Sequence, residues 1–253
     1  MPETFWHLSK CDLFSKLHPD ELRRMESVSR MKKVKRGESV YLPADAADGV
    51  LLVVSGRIKI CHLTNEGKQS ILVFVEPGEI FGELSVIDPT FRQEYSEALE
   101  ATQLVLIPHE EIQRVMMLHP ELTMGITKLI GTRRRRVERR LRNLLFHSNR
   151  ERLIHLLLEL VEQYGREVED GFDLSIKLSH QEMANIIGST RETVTVVLGE
   201  LQKEGLIRIS RRRVKILQLD QLASQVNMAA RLPQSAQPQS DARATPQQVS
   251  PAL

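Results

Sequence analysis

The hydrophobic and polar positions of the chain follow three successive patterns, and the first pattern predicts strands. Between Lys32 and Pro108 the apolar residues come in short runs rich in β-branched side chains, and glycines separate the runs. Many short strands with frequent glycine turns are typical of a β-barrel or jelly roll. The predicted strands are Val40–Leu42, Val50–Val54, Ile58–Leu63, Ile71–Val75 and Leu104–Ile107.

The second pattern has helical spacing and begins at Pro120. Apolar residues recur in steps of mostly three and four as far as about His147, so they mark one face of a long helix. An isolated helix of this length would leave its apolar stripe in water. Packing against the chain's own barrel would cover the stripe. A coiled-coil pairing with a second copy would also cover it, and we favour that arrangement.

The third pattern begins near Arg150 and is typical of a small mixed domain. Leu153–Tyr164 has helical spacing, and Phe172–Leu178 alternates as a strand does. Two short helical segments follow, and a hairpin is expected over Ile207–Leu217. The second domain is therefore expected to be compact and separate from the barrel.

The most specific local pattern in the chain is that of a helix-turn-helix. Ser179 can cap a first helix, and Glu182 three residues later is its capping-box partner. Ser189 and Glu192 repeat this arrangement at the start of a second helix. Gly188 lies between the two helices and suits a left-handed backbone turn. These features predict a helix-turn-helix, and the basic hairpin that follows is expected to form its wing.

The second helix of such a motif lies in the major groove with its first residues on base edges. Arg191 offers a guanidinium fork that pairs with guanine O6 and N7, and the alternative is a solvated arginine at a helix start. Glu192 can accept from a cytosine amino group or serve only as a capping partner. Val196 can contact a thymine methyl group or nothing. The other candidate DNA contacts are Ser179, His180, Gln181, Ser189, Thr190, Thr193, Thr195, Arg211, Arg212 and Arg213.

The composition of the chain excludes several classes of protein. Lys and Arg number 35 and Asp and Glu 33, so the net charge of +2 excludes a histone-like polycation. Two cysteines, Cys11 and Cys61, are too few for a disulfide framework or a typical iron–sulfur cluster, and the histidines lack metal-ligand spacing. No apolar run nears the roughly 20 residues of a membrane span. We find no signal peptide and no catalytic motif, so we expect a cytoplasmic protein that is not an enzyme.

Two stretches of the chain resemble the Crp/Fnr family of bacterial transcription regulators. One is Gly78–Ser85, with the sequence GEIFGELS, which looks like the phosphate-binding cassette of that family. The other is the helix-turn-helix over Leu178–Leu206. The resemblance implies a cyclic-nucleotide-binding-like jelly roll and a homodimer through the long helix. It also implies a palindromic, TGTGA-like DNA site and an interaction with RNA polymerase.

The expected fold is therefore α+β, with four successive parts. The tail holds six Gln, six Ala, four Ser and four Pro in its last 30 residues, a composition typical of disorder. The four parts are a sensor barrel at 1–118, a dimerisation helix at 119–148, a winged helix-turn-helix domain at 149–222 and a disordered tail at 223–253.

The alternative function is a cyclic-nucleotide-binding regulatory module without sequence-specific DNA binding. Such a module needs neither the two capped helices nor the wing.

The cassette has a physical rationale for anion binding. A glycine turn at Gly82 leads into a short helix whose free N–H groups face the pocket, and such a helix start binds anions. Arg92 would add a charge-assisted contact to a phosphate. The resemblance implies that Glu83 accepts from a ribose hydroxyl, so cyclic AMP is the leading candidate effector. The candidate effector contacts are Phe81, Gly82, Glu83, Leu84, Ser85, Arg92, Gln93, Arg133, Val137 and Glu138.

Three departures from the family pattern keep other effectors open. Gln93 stands where cyclic-nucleotide-binding members have Ser or Thr, and Val137–Glu138 stands where one member has a Thr-Ser pair on adenine. Arg92, Arg133 and Glu138 fall where nitrogen regulators of the family bind 2-oxoglutarate, although those regulators lack an equivalent of Glu83. One alternative is therefore a 2-oxoglutarate-like dianion. The other is no ligand, with Glu83 and Arg92 paired inside an empty pocket.

Overall fold

A computed structural model of the chain describes residues 7–64, 66–210, 213–228 and 232. These residues divide into two compact units. One unit ends at Ser148 and also takes in Ala184–Thr190. The other consists of Asn149–Met183 and the chain from Arg191 onward.

The first unit contains two antiparallel four-stranded sheets. Helix α1 (Pro19–Val28) precedes them, and a turn of 3-10 helix over Glu83–Val86 interrupts the run of strands. The strands described in this unit are β1 (Arg30–Val34), β2 (Ser39–Tyr41), β3 (Gly49–Ser55), β4 (Ile58–Leu63), β5 (Gln69–Val75), β6 (Ile80–Phe81), β7 (Tyr95–Ala98) and β8 (Thr102–Pro108). The strand order is β1-β8-β3-β6 in one sheet and β2-β7-β4-β5 in the other. This is the jelly-roll arrangement that the glycine-punctuated runs predicted.

Strand β3 is buried on both faces. Leu51 and Val53 pack in the core between the two sheets, with residues such as Ile58. Val50 and Leu52 point the other way, into the core that the first sheet forms with the helices. A strand covered on both sides needs apolar residues at every position, which explains why this run shows no alternation.

The five strands that the sequence predicted are confirmed, and β1, β6 and β7 were missed. Strand β1 has the sequence RMKKV, and its first four residues are exposed. Strand β7 reads YSEA, and β6 has only two residues. Because none of the three carries an apolar run, only pairing with a neighbouring strand defines them.

The long helix is confirmed, and its two halves differ in burial. Helices α2 (His109–Leu118) and α3 (Pro120–Phe146) follow β8. In the first half of α3, Leu122 and Ile126 are buried in the core of the first sheet. In the second half, the same stripe is exposed to solvent. Its exposed residues are Val137 at 42%, Leu141 at 54% and Leu144 at 44%.

An ion pair joins α1 to the start of α3. His119 Nε2 lies 2.7 Å from Glu21 Oε1. This hydrogen bond lowers the pKa of the Glu21 carboxyl and raises the pKa of His119 above its usual 6.5. The stabilisation from His119 is complete below pH 6.5 and is lost as the pH rises through the raised pKa in the folded protein. The stabilisation from Glu21 is complete above pH 4.5. It is lost as the pH falls through the lowered pKa of Glu21 in the folded protein.

We therefore expect a His119→Gln variant to lose the most stability between about pH 4.5 and 6.5. Chemical denaturation of both proteins across a pH series measures the difference. His62→Gln is the control, because His62 is an exposed histidine on β4. A stability difference that does not shrink above neutral pH would show that the ion pair is not its cause.

The second unit combines helices with a small antiparallel sheet. Its sheet has the strand order β11-β12-β10-β9. The helices described in this part of the chain are α4 (Asn149–Tyr164), α5 (His180–Ile187), α6 (Arg191–Lys203) and α7 (Leu219–Ser224). The strands are β9 (Gly165–Val168), β10 (Gly171–Leu174), β11 (Ile207–Ser210) and β12 (Arg213–Ile216).

Two features of this unit differ from the prediction. Strand β10 ends at Leu174 rather than at Leu178, because the next residue opposite it, Tyr164, is the last residue of helix α4 and not part of a strand. The N–H and the hydroxyl of Ser175 both donate to Tyr164 O. The predicted tail begins too early, since Ala223 and Val226 are buried. Residues 229–231 and 233–253 of the predicted tail lie outside the described residues.

Candidate functional site

The cassette turn is built around Gly82. Its backbone is left-handed, with φ +72°, as the predicted glycine turn requires. A Cβ at this position would lie 2.5 Å from Arg92 Nη1, so a side chain would displace the guanidinium. The hydroxyl of Ser85 donates to Gly82 O at 2.8 Å and also lies 3.2 Å from Gly49 O. The turn is therefore fixed by its own hydrogen bonds.

Arg92 is buried against this turn. Its Nη1 donates to Gly82 O at 3.1 Å, and its Nη2 donates to Gly49 O at 2.6 Å. Nη2 also lies 3.0 Å from Asp48 Oδ1. The guanidinium carbon stands 4.6 Å from the ring centre of Tyr41, a cation–π contact. Within the described residues, Arg92 Nε is buried without a hydrogen-bond partner, which leaves one donor for another group.

Glu83 pairs with the long helix rather than with Arg92. Its Oε2 accepts from Arg133 Nη1, and Arg133 Nη2 donates to Ile80 O at 2.7 Å. The alternative of an internal Glu83–Arg92 pair is therefore wrong. An internal pair exists, but it joins the cassette to α3, because Arg133 lies on the face of α3 that meets the barrel.

A cavity of about 220 Å³ lies beside Arg92. Five predicted contacts line it: Gly82, Leu84, Ser85, Arg92 and Gln93. The other lining residues are Ala47, Ile87, Asp88, Phe91 and Glu94, which the sequence analysis did not single out. Arg92, Gln93 and Glu94 all line the cavity, so no alternating pattern in the sequence singles out Glu94.

The remaining predicted effector contacts, including the paired Glu83 and Arg133, lie outside the lining of this cavity. Phe81 is buried in the core between the sheets. Val137 is exposed on α3, and Glu138 forms an exposed pair with Arg134 one turn earlier, at 2.8 Å. An effector contact by Val137 or Glu138 therefore stays a prediction.

The cavity carries acidic as well as basic groups. Burial raises the pKa of the Glu94 carboxyl, and the nearby negative charge of Glu83 raises it further. The hydroxyl of Tyr41 lies 3.4 Å from Glu94 Oε2. Asp88 lies at the rim. The arrangement can hold an anionic group near Arg92 and can accept hydrogen bonds from donors elsewhere on the same ligand.

The helix-turn-helix forms as the capping pattern predicted. The Ser179 N–H donates to Glu182 Oε2 at 2.7 Å, and the Glu182 N–H donates to Ser179 Oγ at 3.2 Å, so the capping box is complete. Gly188 has φ +64°, the left-handed turn between α5 and α6. On α6, Val194 and Leu198 are fully buried. The opposite face of α6 is left at the surface.

The exposed face of α6 carries the predicted base-reading residues. Arg191 and Glu192 are exposed at its first turn, and Val196 is 59% exposed. Thr195 Oγ1 donates to Arg191 O at 2.9 Å and lies 2.7 Å from His180 Nδ1. The hydroxyl of Thr195 is thus engaged within the motif, which makes it a less available phosphate donor than the sequence suggested.

The other predicted DNA contacts lie in three places. Those at the surface are Gln181, Thr190 and Arg213, and those that are half-buried are Ser179, His180, Ser189 and Thr193. The hydroxyl of Ser179 donates to Glu182 Oε2 at 2.7 Å, so it serves the cap. Arg211 and Arg212, at the predicted tip of the wing, lie outside the described residues.

Two negative findings apply to the part of the chain that the structure describes. No helix there is long and apolar enough to cross a membrane. No group of three or more His, Cys, Asp or Glu side chains converges as a metal site. Cys11 and Cys61 are both buried, and neither is part of a disulfide.

A β-rich effector domain, a long helix and a helix-turn-helix together define a DNA-binding transcription regulator. Matches to two known domain families support this class. The cyclic nucleotide-binding domain matches residues 31–119, and the Crp-like helix-turn-helix domain matches residues 151–225.

Individual transcription regulators are also similar to this chain in sequence and structure. The global nitrogen regulator of Synechococcus elongatus is 30% identical over 189 residues, which cover 74% of this chain and 85% of that protein. The cyclic AMP receptor protein of Thermus thermophilus is 28% identical over 204 residues, 81% of this chain and 91% of that protein. A solved CRP/FNR family transcriptional regulator from Thermus thermophilus is 28% identical with a TM-score of 0.65, over 80% of this chain and all of that one.

The chain belongs to the Crp/Fnr family of transcription regulators. It has the family's helix-turn-helix DNA-binding domain and its effector-binding domain. Regulators of this family bind DNA and typically form dimers. The proteins that this chain resembles are transcription regulators rather than enzymes.

Proposed function

We propose that the chain acts as a homodimer that reads a palindromic DNA site with α6 and responds to a small effector in the cavity beside Arg92. The observation that supports the dimer is the exposed apolar stripe on the second half of α3. Val137, Leu141 and Leu144 recur in steps of four and three, the spacing of a coiled-coil seam. The barrel covers the apolar stripe in the first half of the helix only. A second copy of the helix would remove the stripe in the second half from water.

The DNA surface we propose is the first turn of α6. Arg191 at its start offers the bidentate pair to guanine, and Glu192 beside it can accept from a cytosine amino group. Both are exposed. A TGTGA-like half-site supplies these partners on its two strands, and the two-fold symmetry of a dimer gives a palindrome.

The effector chemistry that best suits the cavity is a monoanion with hydrogen-bond donors, and cyclic AMP is our leading candidate. The unpartnered Nε of Arg92 supports the binding of an anionic group. Asp88 and Glu94 in the lining favour hydroxyl or amine donors and oppose a second negative charge. A dianion such as 2-oxoglutarate is therefore the second candidate, supported by the likeness to a nitrogen regulator.

We propose that the effector acts through the pair between Glu83 and Arg133. This pair joins the cassette to α3, and α3 also carries the dimer seam. A ligand donor that takes over Glu83 would release Arg133 and change how α3 lies on the barrel. Arg140, two turns after Arg133, donates to Ile71 O and Leu72 O at 2.7 Å, so strand β5 would follow the helix.

The place of action that we propose is the promoter, where the DNA-bound dimer recruits or blocks RNA polymerase in the cytoplasm. The support is the function of the relatives, which are transcription regulators. Transcription in vitro from a template with the bound site tests the effect on the polymerase. Identical transcript levels with and without the protein would contradict it.

Calorimetric titration with cyclic AMP, and separately with 2-oxoglutarate, tests the effector proposal. We expect saturable binding of cyclic AMP to the wild type. A Glu83→Gln variant is expected to bind about tenfold more weakly, because a hydrogen bond to a charged acceptor is lost. Glu100→Gln, on an exposed loop, is the matched control and should bind as the wild type does. No heat from either compound with folded protein would contradict both named effectors.

A further inference from the structure

The C-terminal end of the recognition helix α6 carries two carboxylates. Glu200 lies in its last turn, and Glu204 directly follows Lys203. The carboxyl end of a helix has a partial negative charge, so both carboxylates are unfavourable there. They are also four residues apart, the spacing at which like charges on a helix repel. Lys203, also in this last turn, offsets only part of this negative charge.

Arg150 supplies a second cation from the first turn of α4. Its Nη1 lies 3.2 Å from Glu200 Oε2, and its Nη2 lies 2.7 and 2.8 Å from the two oxygens of Glu204. The hydrogen bond from Arg150 lowers the pKa of the Glu204 carboxyl. The cluster thus contains one guanidinium and two carboxylates, and Lys203 adds a further cation to the last turn of α6.

Gln225, just after α7, completes the cluster. Its Oε1 accepts from Arg150 Nη2 at 3.1 Å, and its Nε2 donates to Glu204 Oε2 at 3.3 Å. One planar guanidinium therefore ties the end of α6 to α4 and to the segment after α7. A lysine has a single point of charge and cannot hold three partners in this fixed geometry.

We propose that Arg150 is a positioning residue for DNA recognition. It holds the C-terminal end of α6, so that the first turn of the helix, with Arg191, keeps its orientation. The 13 residues of α6 place Arg150 roughly 20 Å from Arg191 at a rise of about 1.5 Å per residue. It therefore acts on recognition through the helix and not by touching base edges.

The test compares Arg150→Ala with the wild type in two measurements. Amide hydrogen exchange on the protein alone should show faster exchange at Glu204 and Gly205, whose N–H groups donate to Glu200 O and Gln202 O. Binding to the duplex that the wild type selects from a random DNA pool should weaken about fivefold. The dependence of log Kd on log salt should keep its slope, because no phosphate contact is lost.

A rescue variant separates positioning from packing. Adding Glu200→Gln and Glu204→Gln to Arg150→Ala removes the unfavourable charges, so exchange and DNA affinity should return toward the wild type. Arg166→Ala, an exposed arginine on β9, controls for the loss of one positive charge. Unchanged exchange in Arg150→Ala, a salt slope reduced by about one, or a triple variant without rescue would each overturn the proposal.

Discussion

An Arg191→Ala variant should bind the selected duplex about 10- to 100-fold more weakly than the wild type and remain a dimer. A bidentate arginine–guanine pair is worth roughly 1–3 kcal/mol of discrimination against other bases. Arg191 is exposed at the start of α6 and lies outside the buried core, so its loss should not unfold the domain. Fluorescence anisotropy with the selected duplex and with a duplex changed at the guanine measures the loss.

The pattern of effects identifies the role of the side chain. Arg191→Ala should lose its preference between the two duplexes, and weak binding to unrelated DNA should persist. Arg166→Ala is the matched control, since it removes a cation from an exposed position on β9, outside the recognition helix. Full affinity of Arg191→Ala for the selected duplex would mean that this arginine is solvated and does not read a base.

A Leu141→Glu variant should be monomeric and should bind the selected duplex at least 100-fold more weakly. Leu141 lies in the middle of the exposed stripe on α3. A dimer would bury two carboxylates opposite each other on this seam, and burying unpaired charges is costly. A monomer binds only one half-site. It therefore loses the increase in affinity, about 10²–10⁴-fold, that comes from binding two linked sites.

Analytical ultracentrifugation measures the mass of this variant, and anisotropy measures its DNA affinity. Arg139→Glu is the control, because it makes a larger charge change at an exposed position about 160° around α3 from Leu141 and should leave the dimer intact. A Leu141→Glu protein that stays dimeric would place the dimer interface elsewhere. In that case the exposed stripe would need another explanation.

The sequence predicted the helices, strands and turns that depend on a local pattern of side chains. The capping box of Ser179 and Glu182 and the left-handed turn at Gly188 are local features, and both are confirmed. The apolar run of β3 predicted a strand because burial on both faces demands it. Strands β1 and β7 were missed because their stability comes from partners distant in the chain.

The effector site was harder to predict, since its geometry depends on which charged groups pair. Glu83 and Arg92 were correctly placed at the cassette, but the partner of Glu83 is Arg133, 50 residues later. Pairing among several arginines and carboxylates depends on distances that spacing does not reveal. Glu94 was missed for a related reason, because a carboxylate in an exposed-looking stretch has no local signal of burial.

The most direct test of the account is selection of DNA from a random pool by the purified protein, without ligand and with cyclic AMP or 2-oxoglutarate. We expect an enriched palindrome whose half-sites are centred one helical turn apart, about 34 Å. The guanine of each half-site should be the position at which Arg191→Ala loses preference. Recovery of no enriched sequence under any condition, or of an unpaired half-site, would contradict a dimer that reads DNA with α6.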